Sequence, residues 1–67
     1  MEPAQRGGFL CVTDINGIRH VIRLSSITGL RDADHDRTEA MIVLNGGRDS
    51  ILVACDLDQV FMEIVGR

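Results

Sequence analysis

The strongest patterning in the chain runs from Phe9 to Leu24, where two apolar-rich stretches flank Asn16-Gly17. Asn-Gly is the dipeptide best suited to a two-residue type I′ turn, because both central residues must take positive φ and the turn's twist then matches that of paired strands. The pattern predicts a hairpin with Ile15 opposite Ile18. In that register Phe9 lies with Leu24, Cys11 with Ile22 and Thr13 with His20 on one face, Val12 sits opposite Val21 on the other, and Asp14 faces Arg19. A continuous apolar face and an opposite-charge cross-strand pair then agree, which is what fixes a register.

Leu24-Ser25-Ser26-Ile27-Thr28 reads as a single turn, since serine hydroxyls compete for backbone amides. A short third strand is expected over Ile27–Asp32, with Gly29 marking a bulge. A polar loop over 33–38 separates it from the most apolar run in the chain, Ala40-Met41-Ile42-Val43-Leu44. A half-solvated sheet alternates polar and apolar residues, whereas an unbroken apolar strand belongs where both faces are covered. In so small a chain the second cover is expected to be another subunit, which makes Met41, Ile42, Val43 and Leu44 the candidate interface. Asn45-Gly46-Gly47 supplies a second tight turn of two or three loop residues and leaves the register of the strand over Ser50–Cys55 open.

Beyond that strand the period changes from two to 3.6. Leu57, Val60, Phe61 and Ile64 follow the i, i+3, i+4, i+7 spacing of one helical face, with Met62 and Val65 widening the stripe and Asp58, Gln59 and Glu63 left to water. Asp56 is a natural N-cap with Gln59 completing a capping-box variant, and Gly66 a natural C-terminal stop, so a helix is predicted over 57–65. A helix this short does not hold by itself and must pack on the sheet. The elements together predict an α+β, mainly β domain over residues 9–67. It has about five short antiparallel strands in two hairpins, one C-terminal helix packed on the sheet, and a homo-oligomeric state. Residues 1–8, with Pro3, Gly7 and Gly8 and no periodicity, read as a disordered N-terminus.

Composition sharpens the expectation of assembly. A chain of 67 residues buries only about 60% of the surface its unfolded form exposes, so domains of this size usually need disulfides, metal or partner subunits. Cys11 and Cys55 lack the clustered spacing of a disulfide framework or zinc site and read as small buried hydrophobes, a single bridge between them staying open. Yet 45% of the residues are hydrophobic while Phe9 and Phe61 are the only aromatics, and burial between like subunits is the remaining route. No apolar segment approaches the ~20 residues that span a bilayer, and the first eight residues lack the features of a signal peptide, so a reduced cytoplasmic location without membrane contact is expected.

The net charge of −3 opposes attraction to phosphate backbones, and no aromatic residues interleave with the basic ones, so nucleic acid is disfavoured as a partner. All seven cationic residues are arginine, whose planar fork suits bidentate carboxylate or phosphate contacts. Arg19 and Arg23 share a face of the second strand, and Arg31 and Arg48 are placed to join them as an anion-binding group. The plainer reading is a solvated charged face paired with Asp14, Asp32 and Asp49.

Catalysis finds little support. Asp32-Ala33-Asp34-His35-Asp36 resembles the start of a calcium loop, but Arg37 stands where glycine is needed and Val43 where the bidentate glutamate is needed. His20 and His35 have no metal-site spacing, and Ser25 and Ser26 lack a strand-to-helix elbow. No enzyme activity and no metal or other cofactor is expected.

Val12-Thr13-Asp14-Ile15-Asn16-Gly17, then Ile42-Val43-Leu44-Asn45-Gly46-Gly47, then Leu57-Asp58-Gln59-Val60 resembles the layout of the FlbD/SwrD-type small flagellar and swarming-motility proteins over residues 10–65. The chain departs from that layout in its eight leading residues and in a longer loop around Asp34–Thr38. The resemblance implies a non-enzymatic motility accessory acting through protein contacts, and no catalytic residue carries over. The second half also resembles the strand-strand-helix pattern of LytTR-type DNA-binding domains, against which the acidic balance weighs. The expected function is a homo-oligomeric protein-interaction module. The alternative is an oligomeric protein that sequesters a small anion such as a nucleotide through Arg19, Arg23, Arg31 and Arg48 of adjoining subunits.

Overall fold

A computed structural model describes residues 3–66. Their elements are β1 (Ala4–Arg6), β2 (Phe9–Thr13), β3 (Arg19–Arg23), β4 (Ile27–Asp32), β5 (Ala40–Leu44), β6 (Asp49–Val53) and α1 (Leu57–Val65), with short 3₁₀ turns at Leu24–Ser26 and Asn45–Gly47. The strands form two antiparallel three-stranded sheets, β1-β2-β3 and β4-β5-β6, which confirms an α+β, mainly β architecture with the helix at the C-terminal end.

The N-terminal segment departs from expectation. Ala4–Arg6 pairs with β2, Arg6 opposite Phe9, and the connecting Gly7 and Gly8 both take positive φ, 54° and 85°. Gly-Gly is thus the two-residue loop of a further hairpin, a role open to glycine because it has no Cβ to clash. The disorder expected for residues 1–8 does not extend to this strand, and Met1 and Glu2 lie outside the described residues. Three polar-flanked residues give no periodicity to read. Their strand is held from outside by the helix, where the Gln5 N–H donates to Glu63 Oε2 at 3.0 Å and Gln5 Nε2 donates to the Ile64 carbonyl at 3.2 Å.

The central hairpin forms with a register one residue away from the expected one. Phe9 pairs with Arg23, Leu10 with Ile22, Cys11 with Val21, Val12 with His20 and Thr13 with Arg19. The cause lies at the tip. The Asp14 N–H donates to the Ile18 carbonyl at 2.8 Å, closing a three-residue loop, Ile15-Asn16-Gly17, in which Gly17 carries φ of 82°. A turn followed by a left-handed glycine is the usual three-residue alternative to type I′. The Asp14 carboxylate secures it by accepting from the Asn16 and Ile18 amides at 2.8 and 2.9 Å. The consequence is that Leu10, Val12 and Ile22 enter the core, while Phe9 and Val21, expected in cross-strand apolar pairs, are exposed.

The two sheets meet where this loop reaches β6: Asp14 bridges to Val53, and the Ile15 N–H donates to the Leu52 carbonyl at 3.0 Å. Between the sheets lie Leu10, Val12, Ile22, Ala40, Ile42, Leu44, Ile51, Val53 and Val60, with half-buried Leu24, Ile27, Leu30, Cys55, Leu57 and Ile64 around them. No buried side-chain nitrogen or oxygen among the described residues lacks a partner.

β4 bulges between Ile27 and Gly29, where glycine was expected to mark one. The intervening Thr28 hydroxyl accepts from the Gly46 N–H at 3.1 Å and donates to the Val43 carbonyl at 3.4 Å, tying the bulge to the next turn. That turn is longer than the two or three residues expected. Leu44 pairs with Asp49 across Asn45–Arg48, with positive φ at Asn45, Gly46 and Gly47, and Asn45 Nδ2 donates to Asp49 Oδ2 at 3.2 Å. The helix spans 57–65 as its periodicity predicts, with the full capping box: the Gln59 N–H donates to Asp56 Oδ1 at 2.8 Å and the Asp56 N–H to Gln59 Oε1 at 3.4 Å.

Candidate interaction surfaces

β5 is the most apolar strand, and its residues do not act alike. Ala40, Ile42 and Leu44 are buried against the chain's own sheet and helix, while Met41 and Val43 are half-buried on the outer face. The four-residue interface expected over Met41–Leu44 is therefore corrected. Side chains alternate across a strand, and Ile42, with 0% exposure, is already covered from within. Only Met41 and Val43 can face anything outside. Part of Met41 is occupied, since Arg31 stands opposite it and places Nη2 3.5 Å from the Met41 sulfur.

The helix shows the reverse. Of its apolar stripe only Val60 is fully buried, Leu57 and Ile64 are half-buried, and Phe61, Met62 and Val65 are 50%, 59% and 52% exposed. Phe61 and Val65 stand one turn apart and form the rim of a groove of about 460 Å³ between α1 and β4, whose other apolar walls are Ile27, Leu30, Leu57 and Ile64. Asp58 is the one charged side chain lining it. The helix was expected to pack with Phe61 inward. It packs instead through Val60 and Ile64, because β1 draws the Glu63–Ile64 side of the helix onto the sheet.

The four arginines come from three parts of the fold. Arg19 and Arg23 lie on the outer face of β3 on either side of Val21, which is 69% exposed, while Arg31 belongs to β4 and Arg48 to the turn before β6. The guanidinium of Arg23 lies 5.7 Å from the centre of the Phe9 ring, a distance at which the ring face attracts a cation. Among the described residues the expected pairing of these arginines with Asp14, Asp32 and Asp49 does not form. Asp14 binds His20 instead, Oδ2 to Nε2 at 2.8 Å, and Asp49 binds Asn45. The Asp14–Arg19 pair fails because the shifted register brings Thr13, not Asp14, opposite Arg19. Three bonds thus converge on one carboxylate, and the His20 bond first, then the Ile18 and Asn16 amides, hold Asp14 below its ordinary value of 3.8.

Nothing resembling a reactive constellation emerges among the described residues. Ser25 and Ser26 occupy a 3₁₀ turn, and no group of three metal-ligating side chains forms, the Asp32–Asp36 stretch included. Asp32, Ala33, Asp34 and His35, with Arg31 and Arg37, line a polar depression instead. Cys11 and Cys55 are each half-buried and are not joined to one another. No helix of the described residues is long and apolar enough to cross a membrane. Comparison with known protein-family models, curated proteins and solved structures gives no match. What sequence reasoning missed was the outward helix face. The width of the stripe held the signal: six apolar residues in nine wrap further around a helix than one sheet can cover.

Proposed function

We propose that this protein is a small non-catalytic protein-interaction module that works as a homo-oligomer. The carrying observation is the apolar strip of Phe61, Met62 and Val65 beside an apolar groove. Contiguous exposed apolar surface beside a groove marks an association site in soluble proteins, because scattered single residues do not create one. A second copy laying its own α1 across the groove buries both strips at once, the self-complementary arrangement that a two-fold dimer requires. The motility accessories that the chain resembles in layout supply the functional setting: an accessory acting through contacts rather than chemistry. The small 3₁₀-bound serines and the single His20–Asp14 pair support that choice over an enzyme.

The test is a dilution series followed by amide NMR. Resonances of 57–65 and 27–30 should move together as the protein is diluted, with those of the β2–β3 tip unchanged. A spectrum independent of concentration from micromolar to millimolar, given by a particle of 7.4 kDa throughout, would remove the proposal.

A further inference from the structure

We propose that the open edge of β3 accepts an extended strand from a protein partner, one that carries acidic residues four positions apart on either side of an apolar residue. The inference rests on reading the chain as an interaction module, but it uses a surface separate from the helix groove and does not need the oligomer.

β3 ends its sheet, with β2 as its one neighbour. The Asp14 amide bonds to the Ile18 carbonyl and the Leu24 amide to the Gly8 carbonyl, and the pairs 12 with 20 and 10 with 22 fall in the same alternation. In an antiparallel ladder the intervening residues turn their own N–H and C=O groups away from the partner strand. Arg19, Val21 and Arg23 therefore present a row of backbone donors and acceptors along the outer edge, the template on which a further strand adds. A depression of about 450 Å³ runs beside it, lined by Cys11, Val12, Arg19, His20 and Val21.

The side chains say what kind of strand fits. Arg19 and Arg23 flank Val21 on one exposed face, and among the described residues neither guanidinium has a carboxylate partner, although the chain holds ten acidic residues against seven basic ones. Residues four apart in a strand are about 13 Å apart at roughly 3.3 Å per residue. That span matches two carboxylates at the same spacing on an added strand, and it is too wide for one small anion unless both arms fold inward over Val21. The partner's apolar residue would cover Val21, the most exposed large hydrophobic residue among those described. A second copy of β3 is a poor occupant. In the register that overlaps two such strands completely, Arg19 of each would oppose Arg23 of the other, and directly opposed like charges destabilise a pair.

A synthetic nine-residue peptide tests this directly, with threonine throughout except aspartate at its third and seventh positions and valine at its fifth. Titrated into the full-length protein, it should shift and slow the exchange of the Arg19, Val21 and Arg23 amides. Affinity should fall at least tenfold in the doubly substituted R19E/R23E protein and return when that protein meets the same peptide with lysine in place of aspartate. Both substitutions lie on the surface, and an unchanged far-ultraviolet spectrum verifies the fold. N-methylation of the peptide's backbone within the paired stretch should abolish binding. The proposal is overturned by no amide shift at millimolar peptide, by shifts confined to the α1 groove, by binding indifferent to N-methylation, or by inorganic phosphate or ATP producing the same β3 shifts as the peptide. Loss of self-association with peptide binding intact would sink the oligomer and leave this inference standing.

Discussion

Among the described residues β5 and α1 are the elements with the most apolar residues, five and six, and the fold uses them in opposite ways. β5 spends its hydrophobic residues inward: three of its five are buried, and Arg31 lies against Met41 on the other side. α1 buries Val60 alone and turns Phe61, Met62 and Val65 outward. Apolar content by itself therefore does not locate a contact surface. What locates it is how much of an element's apolar circumference its neighbours can reach. A strand between two others has one face against the core, whereas a nine-residue helix packed on β1, β4 and β5 offers them only one side.

The sharpest way to break this comparison is to exchange the roles. Ile42→Ala should cost about 2–5 kcal/mol through the cavity it leaves in the core, seen as a lower urea midpoint. Phe61→Glu should leave the fold in place, and the large effect should appear in particle mass rather than in secondary structure. Should Phe61→Glu unfold the chain as thoroughly as Ile42→Ala, the outward helix face would be part of the core after all. A smaller effect is expected from the cap that aims the helix. Asp56→Ala removes the acceptor for the Gln59 amide and should cost about 1 kcal/mol, measurable by thermal melting.

The smallest effect concerns the hairpin tip, which is tied to β6. Asp14 lies below its ordinary 3.8 in the folded chain, first through His20 and then through the Ile18 and Asn16 amides. The unfolded chain binds that proton more readily, so the stability it contributes is complete above about pH 3.8 and is lost as pH falls through the lowered folded value. Acid titration of the melting temperature should show this step, and Asp14→Asn should remove it.

Much of the fold was legible from residue pattern, and the failures have physical causes. The bounds of β4, β5 and α1 followed from periodicity, β-branched content and capping residues, signals carried within each element. The hairpin register did not, because Asn16-Gly17 suits two loop lengths and the choice is made by the Asp14 carboxylate gripping two amides. β1 was missed because contacts with a helix some 58 residues away hold it. Of the candidate site, Arg19 and Arg23 were rightly set on one face of one strand. Where Arg31 and Arg48 stand relative to them depends on how the two sheets meet, which no local pattern encodes.

Sedimentation equilibrium of the wild-type protein beside Phe61→Glu, at micromolar concentration and neutral pH, tests the central claim most directly. A wild-type mass at a whole multiple of 7.4 kDa, collapsing to 7.4 kDa in the variant, is the predicted result. A wild-type particle of 7.4 kDa across the concentration range would contradict it.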